Sequence, residues 1–597
     1  MKHHIFALAV FFWGTLTAVL ADEPMVIPPE GWEPQPSPLA SKWAEPGGRY
    51  RAFASQYPRS FNYYLDQNVF SAQLFGHQFE TLITRNPITL DPEPALAERV
   101  EVSADKTTFT VHLDPRAKWS DGKPITADDV IWTFNAIMDD AHLTGPHKVG
   151  LANFEPPEKI DERTVRFVST EVHWRNLWSV GGFNVLPKHW WEKQEDFNRV
   201  NFEFPVVSGP YKITRLNEPQ SVLLTRREDY WGKDDPRLEG LANFDEIQYR
   251  FYTERDTALD NFLRGEFDVH AVYTARFWVE RATGERFDNN WIVKQRVFNY
   301  RPQGFQGFAM NLRRPLFEDV RVRKALAHLL DRERMNATLM YNQYALTRSY
   351  FEDLYPEGNP HELIAFDIPK ARALLAEAGW EVDDQGRLRK DGRRFVINFL
   401  TRDGTAERFL LIYREALSQV GIELNINRKD WSAWSADMRD FNFDMTWAAW
   451  GAGVFKDPEG MWHGKHADTP NSSNVTGFQN DEVDRMIESI ATEFDVDKRH
   501  EVVRKIDAIL VDQVPYVLLW NSDHTRLLYW NKFGTPEHVL GKYGDERGSE
   551  SYWWIDLDLE EDLRDAREQG LKMPGRPYQI NFNEVFTPVP TAVEPQN

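Results

Sequence analysis

The stretch TWAAWGAGVFKDPEGMW, from Thr446 to Trp462, concentrates residue types that suit the capture of a small molecule. Its indole and phenyl rings offer flat apolar surface, and its glycines leave backbone groups accessible to an extended ligand. The carboxylates of Asp457 and Glu459 could pair with a cationic group. From the residues alone the stretch could be core packing or the mouth of a ligand site, and core packing is favoured for Trp447.

Common catalytic signatures are missing from this sequence. It has no GxSxG elbow, no Walker A loop, no HExxH or GxGxxG motif and no cysteine. His463 and His466 form an HxxH pair, but a metal site needs a further ligand that the sequence does not place, and ordinary loop histidines are the alternative. The sequence therefore gives no signature of these enzyme classes, and we predict no metal and no cofactor. An exported glycoside hydrolase with a tryptophan-rich, acidic cleft is the alternative from another class, although carboxylate pairs among 92 acidic residues are too common to nominate one.

The first 21 residues have the features of a secretory signal peptide. Lys2 precedes an apolar run that begins at Ile5, and the segment closes on Val-Leu-Ala before Asp22. The run is too short for a convincing membrane span, and no cysteine stands at the cleavage site to carry a lipid. We expect cleavage after Ala21 and a soluble periplasmic protein. A fold without cysteine is compatible with that oxidising compartment.

Chain length and net charge further limit the class of protein and the partners it can have. A chain of 597 residues is too long for one hydrophobic core, so at least two lobes are expected. The formal net charge of −22 argues against nucleic acid or anionic lipid as a partner, because both need a basic surface. The 14% aromatic content fits either several large cores or a cleft lined by rings.

Local patterns predict the elements that position the site. The segment TTFTVHL, residues 107–113, alternates apolar and polar side chains as a half-buried strand does. TADDVIWTFNAIM begins a helix with a capping box of Thr126 and Asp129, and in FDIPKARALLAEAGW Asp367 is the expected N-cap and Gly379 the stop. Helices and strands alternate in this way from Tyr50 onward, which predicts an α/β protein.

Two segments share one pattern of helix, tight turn, Phe-Asp and strand. They are DTALDNFLRGEFDVHAV at 256–272 and WSADMRDFNFDMTWAAW at 434–450. We expect one such unit in each of two lobes. An ordinary helix-to-strand junction that recurs by chance is the equal alternative.

Seven segments, in order, resemble the family 5 extracellular solute-binding proteins, the oligopeptide- and dipeptide-binding components of ABC importers. The longest, ALAERVEVSADKTTFTVHLDPRAKWSDGKPITADDV at 95–130, combines a strand, an Asp-Gly turn and a capped helix. The others are VVSGPYKI (206–213), RREDYWG (226–232), FAMNLRRPLFEDVRVRKALAHLLDRERM (308–335), KARALLAEAGW (370–380), ALSQVGIEL (416–424) and PYVLLW (515–520). The resemblance covers roughly residues 50–560, and the N-terminal arm resembles the YejA-like subgroup, which is associated with peptides and microcin C.

The resemblance implies a two-lobe periplasmic-binding-protein fold, α/β of the class II type with mixed sheets. Lobe I is expected at residues 49–305, with an inserted subdomain at about 85–203, and lobe II at 306–522. Residues 523–597 would return to lobe I and end in a tail.

Two further features of this architecture are expected. Residues 22–48, rich in proline, glutamate and glycine, should form an extended arm that buries little. The chain would cross between the lobes near 301–311 and again near 520–525. A solute would lie between the lobes, which close about this hinge.

The resemblance also implies which residues face the solute. The expected contacts are Asn62, Tyr63 and Tyr64 in lobe I and Trp431, Trp434, Trp450, Gly451, Ala452, Gly453, Phe455 and Asp457 in lobe II. Arg402 and Arg348 are candidate carboxylate anchors, because arginine binds carboxylates through two parallel hydrogen bonds. For these residues ordinary core or surface positions are the alternative.

One position departs from the family. In peptide-binding relatives an aspartate pairs with the peptide α-ammonium, and the matching residue here is Gly453. A buried ammonium without a counter-charge is disfavoured by several kcal/mol. Either Asp457 or Glu459 replaces the carboxylate, or the amino end of the solute is not charged there, as in an N-formylated or otherwise blocked peptide or a longer peptide whose end leaves the cleft.

We therefore predict a periplasmic receptor that captures a peptide or peptide-like solute and delivers it to an ABC permease driven by a separate ATPase. It would be a monomer and would not bind nucleic acid. The alternative within the same fold is a receptor for an opine, an oligosaccharide, a bile acid or a nickel chelate.

Overall fold

The computed structural model describes residues 24–586 except 56, 403 and 405. The predicted signal peptide and its cleavage site lie outside these described residues. Helices and strands alternate along the chain, which confirms the α/β prediction. Among the described residues, no helix has both the length and the apolar character needed to cross a membrane.

Lobe I, here residues 49–305 and 523–586, is built on two four-stranded sheets. The first has the order Arg49–Ala54, Glu246–Phe251, Ser221–Arg226 and Tyr211–Asn217, and its first two strands are parallel. The second has the order Val269–Ala271, Thr525–Trp530, Ile292–Phe298 and Gln579–Asn581. Because the second sheet takes strands from both sides of lobe II in the sequence, the chain leaves lobe I and returns to it.

A five-stranded antiparallel sheet joins the arm to the segment 85–203. Its order is Met25–Ile27, Ala97–Val102, Thr108–Leu113, Thr164–Val168 and Glu158–Lys159, with a small pair, Ile83–Arg85 and Pro92–Pro94, beside it. Ile27 and Leu39 of the arm are buried, so the expectation that the arm buries little is wrong at these positions. The open edge of Ala97–Val102 supplies backbone partners that the composition of the arm does not reveal.

Lobe II, residues 306–522 with the connecting strand that begins at Phe305, contains a mixed five-stranded sheet. The order is Glu423–Arg428, Val396–Thr401, Met445–Trp450, Phe305–Met310 and Tyr516–Leu518. The central strand is parallel to Val396–Thr401 and antiparallel to Phe305–Met310. Backbone pairing on both sides therefore fixes the strand that leads into the tryptophan-rich stretch.

Helices cover the sheets of both lobes. The longer ones are Val69–Gln78, Ala127–Met138, Arg255–Arg264, Val320–His328, Arg332–Leu339, Ile368–Glu377, Glu407–Gln419, Trp431–Arg439, Asp481–Ile490, Val496–Gln513 and Leu557–Gln569. Short ones are Gly145–Lys148, Asn176–Gly181, Lys188–Trp191, Glu285–Asp288, Glu459–Trp462, Ser549–Tyr552 and Phe582–Val585. Further short strands pair as Ala345–Leu346 with Trp520–Asn521, Phe533–Gly534 with Trp554–Ile555, and Glu381–Val382 with Leu388–Lys390 and Arg393–Arg394.

The crossing between the lobes passes directly against the tryptophan-rich stretch. A Cβ atom at Gly304 would lie 1.7 Å from the carbonyl oxygen of Trp450, so only glycine allows this approach. The amide of Asn521, in the second crossing, donates to the carbonyl oxygen of Gly304 at 2.7 Å. The two crossings and the end of the central strand are thus packed together.

Several local predictions are confirmed. The alternating segment forms the strand Thr108–Leu113, and the helix Ala127–Met138 begins at the capping box of Thr126 and Asp129. Asp367 caps its helix by accepting a hydrogen bond from the backbone of Lys370. Both copies of the repeated pattern form a helix, a turn and a strand, one copy in each lobe.

The stretch Thr446–Trp462 rests on an aromatic core. The Trp462 side chain is 1% exposed and contacts the rings of Phe305, Tyr350, Tyr516 and Phe478, with ring centres 5.0–6.0 Å apart. This core supports the short helix that ends the cleft-lining loop.

We expect Trp462→Ala to destabilise the protein by about 3–5 kcal/mol, because the large cavity left in this core cannot collapse fully. The matched control is Trp43→Ala, since Trp43 is 70% exposed and its loss should leave stability almost unchanged. Thermal unfolding of both variants checks this. Equal melting temperatures for the two would contradict the assignment of Trp462 to the core.

Candidate ligand-binding cleft between the lobes

A cavity of about 750 Å³ lies between the two lobes. Lobe I contributes residues 299–303 and Tyr543, and lobe II contributes residues 345–347, 352–356 and 454–456. Part of the helix Val496–Gln513 closes one side. The volume is within the range of small-molecule sites in proteins.

The tryptophans of the opening stretch anchor it rather than line this cavity. Trp447 packs in the lobe II core, where its indole N–H donates to the side-chain oxygen of Gln306 at 3.0 Å. The indole N–H of Trp450 donates to the hydroxyl of Tyr516 at 3.1 Å. The preference for core packing at Trp447 is confirmed, and Trp450 packs against a second core cluster that contains Tyr516.

Beyond the strand, the chain presents bare backbone. Gly451, Ala452 and Gly453 are exposed and lead directly into the lining residues 454–456. A Cβ atom at Gly451 would meet nothing within 4 Å, and one at Gly453 would meet only a backbone oxygen at 3.4 Å. This segment therefore has room for an extended ligand beside it.

Lys456 is the main residue of this loop that sequence reasoning missed. It is 5% exposed, and its ammonium forms an ion pair with Asp353 and donates to the carbonyl oxygen of Gly453 at 2.9 Å. Asp353 also accepts from the backbone N–H of Gln303, in the crossing, at 3.0 Å. The signal in the sequence is a lysine inside a stretch with little other charge.

Three buried polar atoms of the cavity wall have no hydrogen-bond partner in the described part of the chain. They are Oγ1 of Thr347, Oδ1 of Asp353 and Nε2 of His500. Buried polar groups are almost always paired in native proteins. Unpaired atoms gathered around one cavity indicate that a ligand or water completes their hydrogen bonds.

An aromatic contact joins the lobes beside the cavity. The Phe455 ring, from lobe II, lies 6.2 Å from the ring of Trp174 and 6.0 Å from that of Trp178, both from lobe I. The guanidinium of Arg85 lies over Trp178 at 4.0 Å and over Phe455 at 5.0 Å. Phe455 is the one predicted site residue that lines the cavity between the lobes.

Charged groups reinforce this contact. Arg175 of lobe I pairs with Asp457 at 2.5 Å and with Glu459 at 2.6 Å, both in lobe II. Burial opposes ionisation of Glu459, but the hydrogen bond from Lys465 and the charge of Arg175 outweigh it and lower the pKa to about 2. Glu459 is therefore ionised, and both carboxylates already pair with Arg175, which argues against their use as anchors for a solute ammonium.

Two of the predicted lobe I contacts need correction. Asn62 is fully buried, and its side-chain oxygen accepts from the backbone of Tyr64 at 3.1 Å. Tyr64 is also buried and donates through its hydroxyl to the carbonyl oxygen of Asn184 at 2.6 Å. Their polar atoms serve the interior of lobe I, so neither is placed to contact a solute. Tyr63 instead lines a separate cavity of about 600 Å³, which is formed by lobe I alone.

The remaining predicted residues lie outside the cavity between the lobes. Trp431 is 63% exposed and stacks on Trp434 with ring centres 5.3 Å apart, and the guanidinium of Arg402 lies 5.2 Å from both rings. Arg348 is exposed and does not line the cavity. The structure does not bring these four side chains to the site.

The histidine pair of the sequence serves a different role. His463 lies 3.5 Å from carboxylate oxygens of Asp484 and Glu488, within lobe II. Across the described residues, no group of three or more histidine, cysteine or acidic side chains is placed to hold a metal ion.

The model of the family described as bacterial extracellular solute-binding proteins, family 5, middle region, matches residues 91–472. The chain belongs to this family. Among its relatives, a probable peptide-binding protein YejA from Agrobacterium fabrum is 30% identical over 504 residues, which cover 77% of this chain and 81% of the relative. A peptidoglycan-binding protein YepA from the same organism is 29% identical over 505 residues, with the same two shares.

A solved structure gives the fold. The oligopeptide-binding protein AppA from Bacillus subtilis, in complex with a nonapeptide, matches with a TM-score of 0.67 and 22% identity. The match covers 86% of this chain and all of AppA. The periplasmic-binding-protein fold with mixed sheets is therefore confirmed, and the cavity lies between the lobes of a solute-binding protein.

Arg175→Gln should shift the protein toward a more open form. Each partly exposed ion pair contributes about 0.2–1 kcal/mol, so losing two removes roughly 1 kcal/mol of stabilisation from the closed form. Small-angle scattering of the solute-free protein should show a larger radius of gyration. Arg166→Gln is the control, because its partner Glu158 lies within the same lobe, and an unchanged radius for Arg175→Gln would contradict a role in closure.

Proposed function

We propose that the protein is the periplasmic substrate-binding component of an ABC importer. It captures a peptide or peptide-like solute whose end beside Gly453 carries no ammonium group. The observation that carries this proposal is the exposed backbone of residues 451–453, which leads directly into residues 454–456 of a cavity that both lobes line. The names of the relatives, peptide-binding and peptidoglycan-binding, support the same solute class.

The preference for an uncharged end follows from the charges around Gly453. The carboxylates of Asp457 and Glu459 pair with Arg175, and that of Asp353 pairs with Lys456. A solute ammonium placed here would meet carboxylates that already pair with Arg175 or Lys456, and it would lie close to the ammonium of Lys456. An N-acylated peptide avoids both penalties.

Transport begins when the two lobes close around the solute. Solute binding to both lobes favours the closed form, and the closed form docks on a membrane permease that a separate ATPase drives. The protein reaches the periplasm through the signal peptide, which is removed after Ala21, and acts there as a monomer. It carries out no chemistry on the solute.

The non-peptide alternative keeps the same cavity. An opine, an oligosaccharide, a bile acid or a nickel chelate would also fit between the lobes in size. Its distinguishing sign would be one discrete co-purified mass instead of a series of peptide masses.

Native mass spectrometry of the purified mature protein, followed by denaturing release, identifies the bound solute. We expect peptide or peptide-like masses, mostly with a blocked amino end. Calorimetry then compares one peptide in two forms, N-acetylated and with a free amino group. The form with the free amino group should bind at least about tenfold more weakly, because a tenfold loss of affinity corresponds to only about 1.4 kcal/mol.

Two results would contradict the proposal in different ways. A single non-peptide mass, with no binding of added peptides, would overturn the peptide class. Equal affinity for the acetylated and free peptides would overturn the uncharged end while leaving the peptide class intact.

A further inference from the structure

Two arginines that line the cavity between the lobes have guanidinium N–H groups without a hydrogen-bond partner in the described part of the chain. The Arg301 side chain, from lobe I, lines the cavity and makes no hydrogen bond or close ion pair within the described part of the chain. Its charge does act on a nearby acid: burial opposes ionisation of Asp545, but Arg547 first and Arg301 with it lower the pKa of that carboxyl. Arg504, on the helix Val496–Gln513 of lobe II, donates only through Nε, to the carbonyl oxygen of Leu354 at 3.1 Å. Two guanidinium groups, one from each lobe, therefore present free N–H donors to one cavity.

Two acidic residues of the wall, Glu352 and Asp523, already accept hydrogen bonds from the chain. Glu352 accepts hydrogen bonds from the backbone of Arg348 and Ser349 and from the amide of Asn359. Asp523 accepts from Nδ1 of His524 at 2.6 Å.

Two more acids complete this wall. Asp353 pairs with Lys456, and Asp497 is exposed at the start of its helix. Neither is a counter-charge bound to Arg301 or Arg504, so these two cations remain available to an anion from outside.

The pKa of His500, another residue of the cavity wall, is affected by nearby cations. His500 lies on the helix of Arg504, one turn away, and its Nε2 has no partner in the described chain. Its pKa is lowered to about 4 by burial first, and then by the charges of Lys456, Arg499 and Arg504. The ring is therefore neutral at ordinary pH and does not add a further charge to the site.

These cations affect closure as well as recognition. Arg301 and Arg504 line the same cavity from different lobes, and like charges that share a partly enclosed site repel more strongly than in water. A carboxylate placed between them removes this repulsion and accepts the two parallel hydrogen bonds that arginine offers. An anionic solute would therefore bind and favour closure through the same contacts.

We infer that the cavity selects a peptide-like solute that carries a carboxylate, and that Arg301 of lobe I and Arg504 of lobe II hold this carboxylate. The inference rests on the proposed function, which it narrows from peptide-like solutes in general to anionic ones. Lys456 adds to the selection from the Gly453 side, where it opposes an amino group. Arg301 and Arg504 are specificity-determining residues in this account.

Calorimetry with two matched peptides tests the inference. The probes are N-acetyl-Ala-Gln-Ala with a free carboxylate and the same peptide as its carboxamide. The wild-type protein should bind the acid at least about tenfold more tightly, since charged hydrogen bonds contribute about 1.5–3 kcal/mol. Arg504→Gln and Arg301→Gln should each remove most of that difference, because the lost charge weakens binding of the acid more than binding of the carboxamide.

Lys505→Gln is the matched control, because Lys505 is the exposed neighbour of Arg504 on the same helix. It removes the same charge outside the cavity and should keep the preference for the acid. Thermal unfolding of each variant verifies that it is folded. Equal binding of acid and carboxamide by the wild-type protein overturns the inference and leaves the proposed function standing.

The co-purified solute provides a second, independent readout. If the wild-type protein binds neither peptide, the released solute decides. A peptide-like solute without any acidic group overturns the inference alone, and a non-peptide solute overturns the proposed function. A peptide-like solute that carries a carboxylate, lost from Arg504→Gln during purification and retained by Lys505→Gln, supports both.

Discussion

The loop that follows the central strand of lobe II must line the cavity and hold the lobes together at the same time. Phe455 reaches the tryptophans of lobe I, Asp457 pairs with Arg175, and Lys456, between them, turns back to Asp353 and Gly453. The rest of the structure serves this arrangement. The sheet fixes where the loop begins, and the aromatic core around Trp462 fixes where it ends.

The strength of these contacts sets how the receptor can respond. Ion pairs as exposed as those of Arg175 contribute about 0.2–1 kcal/mol each, so the closed form is only weakly favoured without a solute. A solute that touches both lobes can therefore shift the balance with a modest difference in affinity between the two forms. The buried pair of Lys456 and Asp353 is different, because breaking it would leave a charge without a partner in the interior.

Much of the fold could be predicted from the sequence because its rules are local. Alternation marks the strand Thr108–Leu113, and the capping box at Thr126 marks the start of a helix, whatever the surroundings. The residues of the site could not be predicted in the same way, because the site depends on contacts between segments that are far apart in the sequence. Asn62 and Tyr64 resemble ligand contacts in sequence, yet the structure uses their polar atoms inside lobe I.

The cationic residues of the cavity also could not be predicted from local sequence patterns. Lys456 gains its role only because the fold brings Asp353, 103 residues away in the sequence, beside it. Arg301 and Arg504 line one cavity only because the two lobes face each other. A crystal structure of the protein with its co-purified solute retained tests the account most directly. It should show the solute between residues 299–303 and 454–456, with no ammonium of the solute beside Lys456. A solute bound instead along the exposed tryptophans of the helix Trp431–Arg439, or in the separate cavity of lobe I, would contradict it.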